Sequence, residues 1–236
     1  MDPTARTARV AGLFFLLTFV TSIPALFLYG PVLNDTHYVT GAGADGRILT
    51  GAFLEVLLAV AGIGTAVTLF PVLKRQSEGI VLGYVAARVL ESTVIAVGII
   101  SVLAVLTLRQ DFAGADGATF VVAGKTLAAI HKWTFLLGPG FVAGAGNGLL
   151  LGYLMYRSGL VPRPMAVLGL AGGSLACVAA TLELFGVIQQ VSGVAAAVTL
   201  PEAAWEASLG VWLVVKGLRP ASVNGDPVPV PVAYPG

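Results

Sequence analysis

The chain has 236 residues, of which 57% are hydrophobic and only 11% are charged, with a net charge of +1. Soluble domains carry about 25% charged residues, so this composition excludes an ordinary soluble fold and points to the membrane. The near-neutral balance excludes nucleic acid or an acidic polymer as a partner, and a lone cysteine, Cys177, excludes an internal disulfide.

Arg6 and Arg9 precede an apolar run from Val10 to about Tyr29. Ser22-Ile23-Pro24-Ala25 loosely resembles a signal cleavage site, but the run is longer than the roughly 7–15 residues of a signal core, so it reads as a retained first helix. Further apolar runs bring the expectation to an all-α polytopic bundle of six transmembrane helices, about 10–30, 48–70, 80–108, 126–156, 164–188 and 201–218. The third and fourth exceed the bilayer minimum and should tilt or project beyond it. Between the helices, 31–47 and 109–124 are rich in Gly and Asp and read as irregular loops.

Arg6, Arg9, Lys74, Arg75, Arg157, Arg163, Lys216 and Arg219 fall on one side, against Arg47, Arg109 and Lys125 on the other. The positive-inside rule then places both termini in the cytoplasm. Residues 1–219 form the transmembrane domain. The tail 220–236, with Pro227, Pro229 and Pro231, cannot bury a core and should be flexible and partly polyproline II.

Small residues punctuate the helices: Gly62-x-Gly64, Gly144-x-Gly146-x-Gly148 and Gly169-x-x-Gly172-Gly173 suit close backbone approach. The two hairpins built on Gly62 and Gly144 share enough spacing to suggest a weak parallel repeat. Gly138-Pro139-Gly140 is different. A proline flanked by glycines inside a span favours a kink or break, a candidate hinge whose freed carbonyls need water, protein or ligand.

Charges inside these spans carry the functional expectation. A central charge costs about 2.5–3.5 kcal/mol on insertion scales, so it normally faces a partner. Arg88 and Glu91, at i and i+3 of the third helix, lie on one face and can pair. At about 1.5 Å per residue, Arg88 sits roughly 12 Å and Glu91 roughly 17 Å from the inner side. Glu55 comes roughly 10 Å, and His131 and Glu206 roughly 7 Å, below the outer side. These five candidates, with Asn147 as a hydrogen-bonding neighbour, come together as one polar pocket open outward if the helices converge. The bland alternatives are a structural Arg88–Glu91 pair and an interfacial belt at His131-Lys132-Trp133. Glu202 reads as part of a capping box, Thr199-Leu200-Pro201-Glu202, at the start of the last helix. Glu183 falls near the outer rim and reads as structural.

Gly62-Ile63-Gly64-Thr65 leading to Pro71 and Arg75, Gly83-Tyr84 leading to Arg88 and Glu91, and His131-Lys132-Trp133 leading to Gly140 form one set of motifs. Asn147, Tyr156-Arg157 with Pro162-Arg163, and Pro201-Glu202 with Trp205-Glu206 extend it. Together, over about residues 5–219, the chain resembles a family of bacterial membrane proteins, domain of unknown function 4386. The resemblance implies a multi-pass protein of the inner (plasma) membrane with six or seven helices. It brings no activity, substrate or cofactor.

The residues favour a binding or transport protein for a small molecule, ion or lipid head group over an enzyme. Glu55, Glu91, Glu206 and His131 are the types that ligate metals, but one membrane histidine is thin for zinc, and no catalytic motif is present. No cofactor and no metal site is therefore expected. An intramembrane enzyme acting on a lipid-linked substrate and a non-catalytic scaffold or subunit are the alternatives, and a homo-oligomer is left open.

Overall fold

A bilayer-length apolar run must satisfy every backbone N–H and C=O within itself, which selects the helix. The computed structural model describes residues 3–35, 37–41, 43, 45–111, 117–190 and 192–219, and it contains no strand among them. The proline-rich tail lies outside the described residues. The elements are α1 (Pro3–Leu28), a short α2 (Gly30–Asn34), α3 (Asp45–Leu73), α4 (Glu78–Asp111), α5 (Gly117–Phe135), α6 (Gly152–Ser158), α7 (Arg163–Leu184) and α8 (Gly193–Val215). Two π-helical segments, π1 (Leu136–Val142) and π2 (Gly144–Leu151), join α5 to α6 in one rod of 42 residues. With α1, α3, α4 and α7, that rod makes five helices long and apolar enough to cross a membrane, so this is a multi-pass membrane protein. α8 is of comparable length but carries Glu202 and Glu206.

Three local expectations change. Residues 30–34 and 117–124 are helical rather than irregular loop, and Val32 of α2 is buried. Gly138-Pro139-Gly140 does not break its helix. The backbone widens instead, and the Ala143 N–H reaches back five residues to the Gly138 carbonyl. Most consequentially, α8 begins at Gly193. Ser192 is its N-cap, accepting the Ala195 N–H at 3.2 Å. Thr199 is already inside the helix, its hydroxyl donating to Ala195 O at 2.9 Å, so the capping-box reading of Glu202 falls.

Each long element packs on the next: α1 on α3, α3 on α4, α4 on α5 and the π segments, these on α7, α7 on α8, and α8 back on α1. The result is a closed ring. Its outside is apolar, with Val20 66%, Phe27 69%, Ile100 66% and Val215 66% exposed, while Arg88 is only 3% exposed. This inversion is what a lipid solvent requires. One end is plugged by Phe15, Leu69, Leu73, Tyr84, Met155 and Leu213. At the other end Arg109 pairs with Asp45 and donates to Gly41 O at 3.1 Å, while Gln110 donates to Asp45 at 2.9 Å, tying α4 to α3 and the loop before it.

Backbone contact is closest between π2, α7 and α8. A Cβ on Gly172 would stand 2.6 Å from the Glu202 nitrogen, and one on Gly169 would stand 2.6 Å from the Trp205 ring. Replacing Gly172 by Val should destabilise the protein by at least the roughly 1–3 kcal/mol typical of overpacking. Gly79→Ala should be near neutral, because nothing lies within 4 Å of its added Cβ. Thermal unfolding of both variants in detergent, followed by tryptophan fluorescence, checks the contrast.

Candidate functional site

The ring encloses a cavity of about 320 Å³. Glu55 enters it from α3, Arg88 and Glu91 from α4, His131 from α5, and Glu206 from α8, so all five candidate charges line one space. Glu202 joins them from α8. The rest of the wall is mostly apolar, including Phe19, Ile23, Leu58, Ile95 and Phe135. The volume lies at the small end of the range for small-molecule sites, and the combination of apolar wall and few polar groups is typical of them.

Arg88 is the most constrained group. Its Nη1 donates to Glu91 Oε2 at 2.6 Å, and its Nε donates to the Gly62 carbonyl at 3.2 Å. A Cβ on Gly62 would stand 3.0 Å from the guanidinium, so a glycine there leaves room for it. Thr65 supports the same carbonyl with its hydroxyl at 2.7 Å and lies 3.2 Å from the Tyr84 hydroxyl. One helical turn away, Ser92 Oγ donates to Ala59 O at 3.0 Å. Side chains of α4 thus hydrogen-bond along the backbone of α3, fixing the register of the two helices.

A second polar group sits at Glu55 and His131, whose Oε1 and Nε2 are 3.7 Å apart. Tyr29, just beyond α1, packs edge-on against the His131 ring with centroids 5.2 Å apart. His131 is therefore buried in the bundle rather than part of an interfacial belt, whereas its neighbour Trp133 is exposed. Asn147 does not line the cavity. It stands behind Glu206, donating from Nδ2 to Glu206 Oε1, and its backbone carbonyl accepts the Trp205 indole N–H at 3.1 Å. It positions Glu206. Pro139 and Gly140 of π1 line the cavity, while Gly138 packs toward Val94. Glu183, in the last turn of α7, is apart from the cavity.

Glu202 is what sequence reasoning missed. It is 7% exposed, and neither carboxylate oxygen has a protein hydrogen-bond partner. The available signal was its spacing: four residues before Glu206, on the same helix face. Among the described residues, no three His, Cys, Asp or Glu are grouped as a metal site needs.

Removing one member of a buried ion pair costs about 3–5 kcal/mol, whereas replacing both by apolar residues is often neutral. Arg88→Leu or Glu91→Leu alone should therefore destabilise strongly, and the double variant should recover most of the loss. A double-mutant cycle of unfolding free energies measures the coupling; additive losses would remove the pair as a structural unit.

No curated protein and no solved structure matches the chain. Residues 10–217 match one family model, described as a domain of unknown function. A match over nearly the whole chain, running through every helix that lines the cavity, makes this protein a member of that family, domain of unknown function 4386.

Proposed function

We propose that the protein is an integral membrane binding or transport protein, built as six transmembrane helices with both termini cytoplasmic, whose cavity takes a small molecule, ion or lipid head group from the outer side. In a bacterium the membrane is the inner one. The observation that carries this reading is the convergence of Glu55, Arg88, Glu91, His131, Glu202 and Glu206, drawn from α3, α4, α5 and α8, on one cavity within the spans. Intramembrane ionisable groups are expensive and mark pathways and sites more often than packing. A scaffold needs helix contacts, and the apolar clusters and glycine seams already supply those; it needs no cavity of this size. The π segment along the cavity wall supports the same reading, because such widenings occur often at functional sites.

Access is the decisive property. Ala203 lines the cavity, and Cys177 is the chain's single cysteine, so Ala203→Cys in a Cys177→Ala background reports on the cavity alone. In intact cells a membrane-impermeant methanethiosulfonate ammonium reagent should modify the introduced thiol from outside. Modification from both faces would mark transport. A thiol that reacts from neither face, yet reacts once the protein is unfolded in detergent, would remove the reading.

A further inference from the structure

Four carboxyl groups face the cavity (Glu55, Glu91, Glu202 and Glu206) against one guanidinium and one imidazole. Three of the four are engaged. Glu91 receives Arg88, Glu206 receives Asn147, and Glu55 faces His131. Glu55 Oε2 is also buried without a partner, but Glu202 alone of the four has both oxygens so placed. Buried carboxylates are normally satisfied, because leaving their acceptors empty is costly.

π2 and α7 pack closely against α8 around Glu202. A Cβ on Gly148 of π2 would stand 2.7 Å from Glu202 Oε2, and one on Gly172 of α7 would collide with the Glu202 backbone. Gly172 is needed by the close approach of the α8 backbone and Gly148 first by that of Gly173, and Gly148 also leaves space beside Glu202 Oε2. Glu202 lines the cavity, so a molecule held there can supply the missing donor. An anion is disfavoured there, since four carboxyl groups face the cavity against one guanidinium, which already donates to Glu91 and the Gly62 carbonyl. A chelated metal ion is also disfavoured, because no three ligating side chains are grouped among the described residues. An organic ammonium suits the site: its N–H donors match the two Glu202 oxygens, Glu206 lies one turn along α8, and the apolar walls suit a hydrocarbon body.

We propose that Glu202 receives the ammonium group of a small amphipathic amine, whose apolar body lies against Phe19, Ile23, Leu26 and Phe135. This assignment rests on the binding reading above and names its ligand class. The site is a carboxylate receptor with an apolar sleeve, and Glu206, held by Asn147, supplies the second negative group.

The test uses the full chain carrying Cys177→Ala and Ala203→Cys in lipid vesicles at neutral pH, with 2-phenylethylamine as probe. A small neutral methanethiosulfonate modifies the introduced thiol, and the amine should slow this saturably, while 2-phenylethanol and phenylacetate should need at least about tenfold higher concentration. Adding Glu202→Gln should raise the half-protecting amine concentration at least about tenfold, and Glu202→Asp should raise it less. Protection is read against each variant's own rate without amine, and continued reaction of the thiol in both folded variants shows that the cavity persists. If the thiol reacts but the amine does not protect it, protects it equally after Glu202→Gln, or is matched by phenylacetate, the amine receptor is overturned and the cavity reading stands. If the thiol does not react at all in the folded protein, the cavity reading itself is lost.

Discussion

A guanidinium placed in a bilayer-length helix has no water to solvate it, so the protein must do so. Arg88 meets that demand with two partners: a carboxylate on its own helix and a backbone carbonyl on the next. Each partner imposes a further condition. Gly62, with no side chain, leaves room for the guanidinium beside that carbonyl, and Glu91 stands one turn along α4. Thr65, Tyr84, Ser92 and Ala59 extend the same contact along α3 and α4. Apolar packing alone tolerates sliding, but a register defined by directional hydrogen bonds does not. The α3–α4 pair is therefore the fixed wall against which the rest of the ring closes.

The opposite wall is built on a different principle. Between π2, α7 and α8 there are few side-chain hydrogen bonds and much bare backbone contact, through Gly148, Gly169, Gly172 and Gly173. Small residues bring helices close without any hydrophobic driving force, which lipid does not supply. A hydrogen-bonded wall and a close-packed wall, linked by the π-widened rod on one side and by α1 on the other, leave a space between them. The same widening that accommodates Pro139 without breaking the helix puts Pro139 and Gly140 on the rim of that space.

Much of this was legible in the sequence, and the reason is solvent. A charge inside an apolar run is conspicuous, so Arg88, Glu91, Glu55, His131 and Glu206 stood out from composition alone, and the structure brings them to one cavity. What failed were inferences from local pattern. Thr199-Leu200-Pro201-Glu202 has the composition of a helix start, but the helix begins two turns earlier at Ser192, where the local cap is equally good and the added turns bury Ala195. Pro139 signals a disturbed backbone, but nothing in a proline and two glycines distinguishes a break from a π-helix. Asn147 illustrates a further limit. Its residue type showed that it would bond across helices, yet only the fold shows that it stands behind Glu206 rather than beside the cavity.

These distinctions move the functional weight within the site. Arg88 and Glu91 satisfy each other, and with Gly62 they account for their own presence without any ligand. A pair of that kind is explained by the fold it holds. Glu202 is the reverse case. The fold buries its carboxylate beside Gly148 and offers it no donor. A leucine or alanine there would spare the bundle a desolvated acid and make α8 more apolar. The deep cation that dominates the sequence is thus the anchor of the architecture, while the residue that looked like a helix cap has the property expected of a binding group. Buried polarity that is satisfied explains a structure; buried polarity left open toward a cavity calls for something to fill it.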